Sequence, residues 1–199
     1  MNKTKNKMLD VALIEAKWDG IYQNSEFSLA TEILHKNSFL LPKTGCVLDL
    51  ACGMGENALF MADQGLETHA WDISSVALNK LQQKAKKKNL NLSVKQVFIE
   101  PTIFPKDTFD VIVISRFLDR TLSHAIIESL KTNGLLFYQT YVREKTGSSG
   151  PKNVDFLLAR NELLTLFKVL RLVNYRENSL IGDITIGERN EAFFIGQKC

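Results

Sequence analysis

A chain of 199 residues, 45% hydrophobic and 24% charged, is long enough to bury one full core, and its net charge of +3 is too small to point to nucleic acid or a membrane surface. The lysine clusters, Lys3, Lys5 and Lys7 near the start and Lys84, Lys86, Lys87 and Lys88 at a helix end, lack the interleaved aromatics of a single-strand platform. No apolar run approaches the roughly 20 residues that span a bilayer; Asp10 and Glu15 break the stretch that would form a signal peptide, and three cysteines with neither CxxC nor zinc-ligand spacing fit a reducing cytoplasm with no metal.

From Met8 to about Tyr22 the apolar residues Leu9, Ala12, Leu13, Ala16 and Ile21 recur at helical spacing, and a second helix is expected from about Ser25 to Asn37. Pro42 and Gly45 end this leading segment. The apolar run from Cys46 to Leu50 reads as a central parallel strand covered on both faces. It passes into the turn Ala51-Cys52-Gly53-Met54-Gly55. Gly53 and Gly55 permit positive φ and remove the Cβ atoms that would keep a ligand off the backbone, while the next helix offers unpaired N–H groups. Gly53 to Ala58 satisfies the dinucleotide pattern GxGxxG/A, with Asp72 at a suitable distance for a ribose. Asp49, however, puts a carboxylate where a pyrophosphate would be repelled and a cationic ligand attracted. Cys52 suits this turn as a small packing thiol.

The helix from about Glu56 to Gln64 stops at Gly65, and a second strand follows from Glu67 to Trp71. Ser74 and Ser75 offer an N-cap for a helix from Val76 to about Lys87; Asp72 is either a ribose acceptor or itself a cap. A third strand is expected over about Ser93 to Ile99 and a fourth over Phe109 to Ile114, whose end delivers Ser115, Arg116 and Phe117 to the crevice outside the strand ends. Arg116 would there meet a substrate or pair with a surface acid such as Asp119; the lone His124 reads as structural. A helix from Leu122 to Lys131 ends at Asn133-Gly134, before a fifth strand from Leu135 to Val142. The breaker-rich stretch from Arg143 to Lys152 is a mobile lid or a plain linker. A helix within Phe156 to Phe167 precedes two strands, about Arg171 to Arg176 and Ala192 to Gly196, that can pair antiparallel.

The string D-x-A-C-G-x-G, beginning at Asp49, resembles motif I of the class I S-adenosylmethionine (SAM)-dependent methyltransferases, and Phe109-Asp110-Val111-Ile112 is similar to their F-D-x-V element. The resemblance implies an α/β fold: a single Rossmann-like three-layer αβα domain over residues 1–199, with a seven-stranded, mostly parallel sheet and an antiparallel last strand. Residues 1–40 would form amino-terminal helices and a lid, and 41–199 the core. SAM carries an ammonium and a sulfonium, which suits Asp49. By resemblance the cofactor is held by Asp49, Ala51, Cys52, Gly53, Gly55 and Asn57 in the turn, Asp72 and Ile73 at the ribose, Ile99 and Glu100 at the adenine, and Ser115 at the fourth strand. Trp18-Asp19-Gly20-Ile21-Tyr22 resembles a W-D-x-x-Y segment that closes over SAM, so Trp18 and Tyr22 are either lid or packing residues. One departure is Phe98, which stands where relatives commonly place an acid near the adenine.

Trp71-Asp72, Arg116-Phe117-Leu118 and Asn161-Glu162-Leu163-Leu164 look most like the tellurite-resistance-type subgroup, yet the stretch from Asn178 to Ile184 lacks the His-Arg pair of its tellurite enzymes. The implied function is transfer of a methyl group from SAM to a small-molecule acceptor, leaving S-adenosylhomocysteine, with Arg116, Tyr141 and Arg143 as acceptor contacts and no catalytic base assigned. A cytoplasmic monomer or homodimer without nucleic-acid or membrane partners is expected. The alternatives are a SAM-fold protein that binds cofactor or a partner protein without catalysis and, third, an NAD-dependent oxidoreductase.

Overall fold

The computed structural model describes residues 2–199, with side chains from Met8 onward. Seven strands form one sheet in the order β3-β2-β1-β4-β5-β7-β6. In chain order they are β1 (Cys46–Leu50), β2 (Glu67–Asp72), β3 (Leu92–Gln96), β4 (Phe109–Ser115), β5 (Leu130–Tyr141), β6 (Arg171–Arg176) and β7 (Glu191–Gln197). The first five run parallel, and β7 is antiparallel to both β5 and β6. The apolar alternation of the central strands fills both faces. On one side Val47, Val111, Val113 and Phe137 pack beneath α2 (Glu32–Lys36) and α3 (Glu56–Asp63), while Ala70 and Val94 lie under α4 (Ser75–Lys87). On the other, Leu48, Leu50, Ile112, Ile114 and Tyr138 pack beneath α5 (Ser123–Ser129) and α6 (Glu162–Leu166). This is the three-layer Rossmann-like arrangement expected. Among the described residues no helix is long and apolar enough to cross a membrane.

Several elements differ from the sequence expectation, each for a local reason. The second helix covers only Glu32–Lys36, because side chains at the start of α3 capture the preceding backbone: Glu56 accepts from the Ser28 N–H and Asn57 from the Thr31 N–H, both at 2.9 Å. The third strand stops at Gln96, since its partner β2 ends at Asp72. Asn133 and Gly134 lie inside β5, which already begins at Leu130 and absorbs the irregularity opposite Phe109 and Val111. The late helix shrinks to Glu162–Leu166, because Leu158 pairs with Val142 in an extended bridge.

The first helix, α1 (Asn2–Gln23), lies the other way round from its apolar pattern. Leu9, Leu13 and Ile21 are exposed at 62%, 63% and 47%, whereas Val11, Glu15, Asp19 and Tyr22 turn inward. Polar anchors, described next, set this orientation.

Candidate cofactor and acceptor site

Strands β1 and β2 end side by side, and each ends on an acid. Asp49 is fully buried; its Oδ2 accepts from the Ala58 N–H at 2.9 Å, while its Oδ1 has no partner among the described residues. Burial pushes its pKa well above the carboxylate range, with the Glu56 and Asp72 charges adding to the rise and the Ala58 N–H opposing it. The turn that follows is wound left-handed at Ala51, Gly53 and Gly55, with φ of +54°, +54° and +73°. Glycine adopts this region freely, whereas for Ala51 it costs about 1–2 kcal/mol. Such strain is characteristic of ligand clamps.

The two glycines serve different contacts. A Cβ on Gly55 would run into the Leu81 methyls of α4, so this glycine allows the turn to pack on the helix. A Cβ on Gly53 would lie 2.6 Å from the Tyr22 hydroxyl, so this glycine lets the Tyr22 ring close onto the turn. Cys52 is buried, and that burial pushes its thiol up, as befits a packing residue rather than a nucleophile.

Asp72 faces the same turn. Its Oδ2 accepts from the Gly53 N–H at 2.7 Å and its Oδ1 from the Ser74 N–H at 2.8 Å. The N-cap of α4 is Ser74, whose Oγ accepts from the Ala77 N–H, so Asp72 clamps the glycine turn instead of capping the helix. An ionised carboxylate offers about four acceptor positions, so two protein donors leave capacity for ligand hydroxyls. Burial raises the pKa of Asp72, and the Ser74 and Gly53 N–H groups oppose the rise.

Helix α1 lies over these strand ends. Asp19 accepts from the Ser74 hydroxyl at 2.5 Å and the Val76 N–H at 3.2 Å; Glu15 accepts from Gln96 Nε2 at 2.7 Å. Lys80 donates to the carbonyls of Tyr22, Gln23 and Ser25 at 2.7, 3.0 and 3.0 Å, a cation at the helix C-terminus. Trp18 stacks on Tyr22 with ring centroids 5.7 Å apart. Burial, then the nearby Asp72 charge, holds the Tyr22 phenol above its usual range and therefore neutral. Ile73 contributes its carbonyl to Gln96, while Ile99 and Glu100 lie partly buried just beyond β3. Asn57 acts as a brace: its Oδ1 accepts from Thr31, and its Nδ2 donates to the Ser115 hydroxyl at 3.1 Å.

The second group of expected residues gathers at the ends of β4 and β5. Arg116 has φ +53° and donates from Nε to Glu191 Oε1 at 2.8 Å; its expected ion-pair partner, Asp119, instead binds Thr121. Glu191 is 4% exposed, and its other oxygen accepts from Gln139 Nε2 at 2.5 Å. Gln139 Oε1 in turn accepts from the Ile33 N–H. The guanidinium is thus held by its Nε edge, half in solvent. Sequence reasoning missed Gln139 and Glu191, although a polar residue within the apolar run of β5 and an acid opening β7 were the available signals. Tyr141 lies under the Arg143 to Lys152 loop, where a Cβ on Gly150 would meet its ring at 2.6 Å. Lys145 braces that loop through the carbonyls of Ser149 and Pro151, and Asn190 accepts from its Thr146 and Gly147 N–H groups. Arg143 projects outward, its N–H bound to the Leu158 carbonyl.

Residues 47–134 match the family model described as a methyltransferase domain. The chain is 29% identical over 138 residues to the probable S-adenosyl-L-methionine-dependent methyltransferase TehB of Haemophilus influenzae, covering 66% of this chain and 48% of TehB. Residues 47–134 thus carry a methyltransferase-domain match, and two thirds of the chain resembles a SAM-dependent methyltransferase. It spans about half the length of that curated relative. The crystal structure of H. influenzae TehB superposes with a TM-score of 0.69 at 21% identity, over 87% of this chain and 64% of that one. The crystal structure of the [4+2]-cyclase SpnF gives 0.64 at 15% identity over 82% and 80%. One fold therefore accompanies more than one activity, and the reaction has to be argued from the site.

Proposed function

We propose that this chain transfers a methyl group from SAM to a small-molecule acceptor. The observation that carries the reading is the buried, singly unpartnered Asp49 carboxylate beneath a left-handed glycine turn. An ammonium, directly or through one water, supplies the donor that Asp49 Oδ1 lacks, whereas the phosphates of NAD would bring negative charge towards two carboxylates. In this reading Ala51, Cys52, Gly53 and Gly55 line the methionine part, Asp72 and Ile73 take the ribose, and Ile99 and Glu100 flank the adenine. Ser115 and Asn57 hold the β4 edge of the pocket. Trp18 and Tyr22 form part of a lid that α1 lays over the cofactor, so residues 1–40 act with the 41–199 core as one domain.

SAM supplies an electrophilic methyl group; the chain's contribution is alignment and exclusion of water. Alignment alone can remove several kcal/mol of barrier when the acceptor is already nucleophilic. In this reading the acceptor sits beside Arg116 and Tyr141, under the loop braced by Lys145, with the exposed Arg143 at the outer rim. Because Glu191 holds Arg116 by Nε, its two Nη groups can meet an anionic or polar acceptor. Tellurite is not assigned as the acceptor: of the arginines flanking the Asn178 to Ile184 stretch, Arg176 donates to Glu32 and Arg189 to the carbonyls of Ile181, Asp183 and Ile186. Calorimetry with SAM, S-adenosylhomocysteine and NAD, followed by a methyl-transfer screen of thiols, phenols, amines and oxyanions, tests the proposal. Binding of NAD in place of SAM refutes the cofactor assignment; SAM binding with no turnover across the screen refutes the transfer.

A further inference from the structure

At the opposite, amino-terminal end of the sheet, away from the proposed cofactor crevice, two strands bring together residues that no linear spacing connects. Cys46 opens β1 and pairs in register with Glu67, which opens β2; His69 follows two residues later, so all three project from one face. One ligating atom from each, the Cys46 Sγ, a Glu67 carboxylate oxygen and a His69 ring nitrogen, lie within 4.8 Å of one another. The His69 Nε2 is 3.5 Å from Glu67 Oε1. Two such ligands on a tetrahedral zinc, each about 2.0–2.2 Å from the metal, stand about 3.4 Å apart, so this edge is already at coordination spacing.

The surroundings suit a metal as well. His69 Nδ1 is 2.9 Å from the Ser93 hydroxyl, which leaves Nε2 facing the cluster, and the ring packs edge-on against Phe109. Anchoring the second imidazole nitrogen in this way is how metal-bound histidines are oriented. The nearby cation Lys131 is engaged 2.8 Å away by Asp110, whose carboxylate also accepts the Cys46 N–H. The cluster is reachable from solvent, because β3 and β4 are joined by a single 3-10 turn, Pro101–Ile103, rather than a helix. Glu67 and His69 side chains are accordingly 63% and 33% exposed.

We propose that Cys46, Glu67 and His69 form a binding site for a divalent zinc-like cation, with water completing the shell. The mixed sulfur, nitrogen and oxygen set selects a borderline transition metal over magnesium or calcium. On binding, the thiol proton leaves to solvent and a metal–thiolate bond forms. The test is a cobalt titration of untagged, chelator-treated protein followed by absorbance, then zinc competition and melting curves with zinc. One equivalent of cobalt should give visible ligand-field bands with a near-ultraviolet thiolate charge-transfer band. Cys46→Ser should lose the charge-transfer band, and both Cys46→Ser and His69→Ala should weaken zinc binding by more than about tenfold and lose its melting shift. Cys199→Ser, at the exposed chain end, should change nothing. Failure to saturate at one equivalent, wild-type binding by Cys46→Ser, or loss of the band in Cys199→Ser would each overturn the site.

Discussion

Replacing Asp72 by alanine should damage both the fold and the cofactor site, and the two losses can be measured apart. In the structure the carboxylate accepts two backbone N–H groups, at 2.7 Å from Gly53 and 2.8 Å from Ser74, and the residue is 6% exposed. Two hydrogen bonds to a charged acceptor contribute about 3–6 kcal/mol before desolvation, and the burial that raises the Asp72 pKa offsets part of this, leaving about 2–4 kcal/mol. A domain of this size is typically stable by about 5–15 kcal/mol, so Asp72→Ala should still fold, with a lower denaturation midpoint. Loss of the proposed ribose acceptors should weaken SAM by a further ~2–4 kcal/mol, roughly 30- to 1000-fold. Urea unfolding gives the first quantity; calorimetry on protein well below its transition gives the second. If stability drops while affinity in the folded protein is unchanged, Asp72 is a clamp for the turn and does not hold ribose. If neither changes, the two backbone bonds are not what secures the turn.

Gly53→Val should abolish SAM binding while retaining most of the fold: its φ of +54° costs a branched residue at least about 1–2 kcal/mol, and its Cβ would displace Tyr22. Normal binding by calorimetry would remove the turn from the cofactor site. Lys80→Met should loosen α1 by about 1–2 kcal/mol, read as faster hydrogen exchange over residues 9–23 with little shift in the global transition, and unchanged exchange there would show that Lys80 does not hold the helix. Glu32 is held down to about 2 by hydrogen bonds from Arg176 and then Lys36. Because its folded value lies below the unfolded one, the stabilisation is fully present above about pH 4.5 and is lost as pH falls towards 2. Glu32→Gln should therefore cost about 1–2 kcal/mol at neutral pH, and the gap from the parent should close over that acid window in urea titrations; a gap that stays constant would refute the pairing.

What the sequence disclosed followed from short-range rules. The strand into Asp49, the Gly53 and Gly55 turn and the acid closing β2 all lie where local pattern and chain geometry place them, because each depends on a few adjacent residues. The misjudged boundaries depend on partners remote in sequence. Ser28 and Thr31 are drawn out of a helix by Glu56 and Asn57, and Leu158 is drawn into a bridge by Val142. The same holds for the acceptor side. Arg116 could be placed at the end of β4, but its partner Glu191 stands at the start of the last strand, and only the antiparallel insertion of β7 between β5 and β6 brings the two together. Cys46, Glu67 and His69 are a further case, invisible as a spacing motif because strand register, not sequence proximity, assembles them.

The orientation of α1 bears on how the proposed lid would work. Periodicity of apolar residues ordinarily tells which face meets the core, and here Leu9, Leu13 and Ile21 point to solvent while Glu15, Asp19 and Tyr22 make the contacts. A helix seated on an apolar stripe would expose that stripe on leaving, at about 25 cal/mol per Å² of surface. A helix seated through carboxylates, a lysine and the Tyr22 ring exchanges most of its contacts for water, and each such polar exchange costs only about 0.5–1.5 kcal/mol, rising to about 3 where a charge is involved. The inverted seating therefore makes α1 cheap to lift without making it loose when closed. Its contacts are also not spread at random. Asp19 binds the hydroxyl of Ser74, the residue whose N–H binds Asp72, and Tyr22 covers Gly53, whose N–H binds the other oxygen of the same carboxylate. The proposed lid and the proposed ribose acid thus share two backbone positions, so a ligand that draws on Asp72 would act on the two points where α1 is docked.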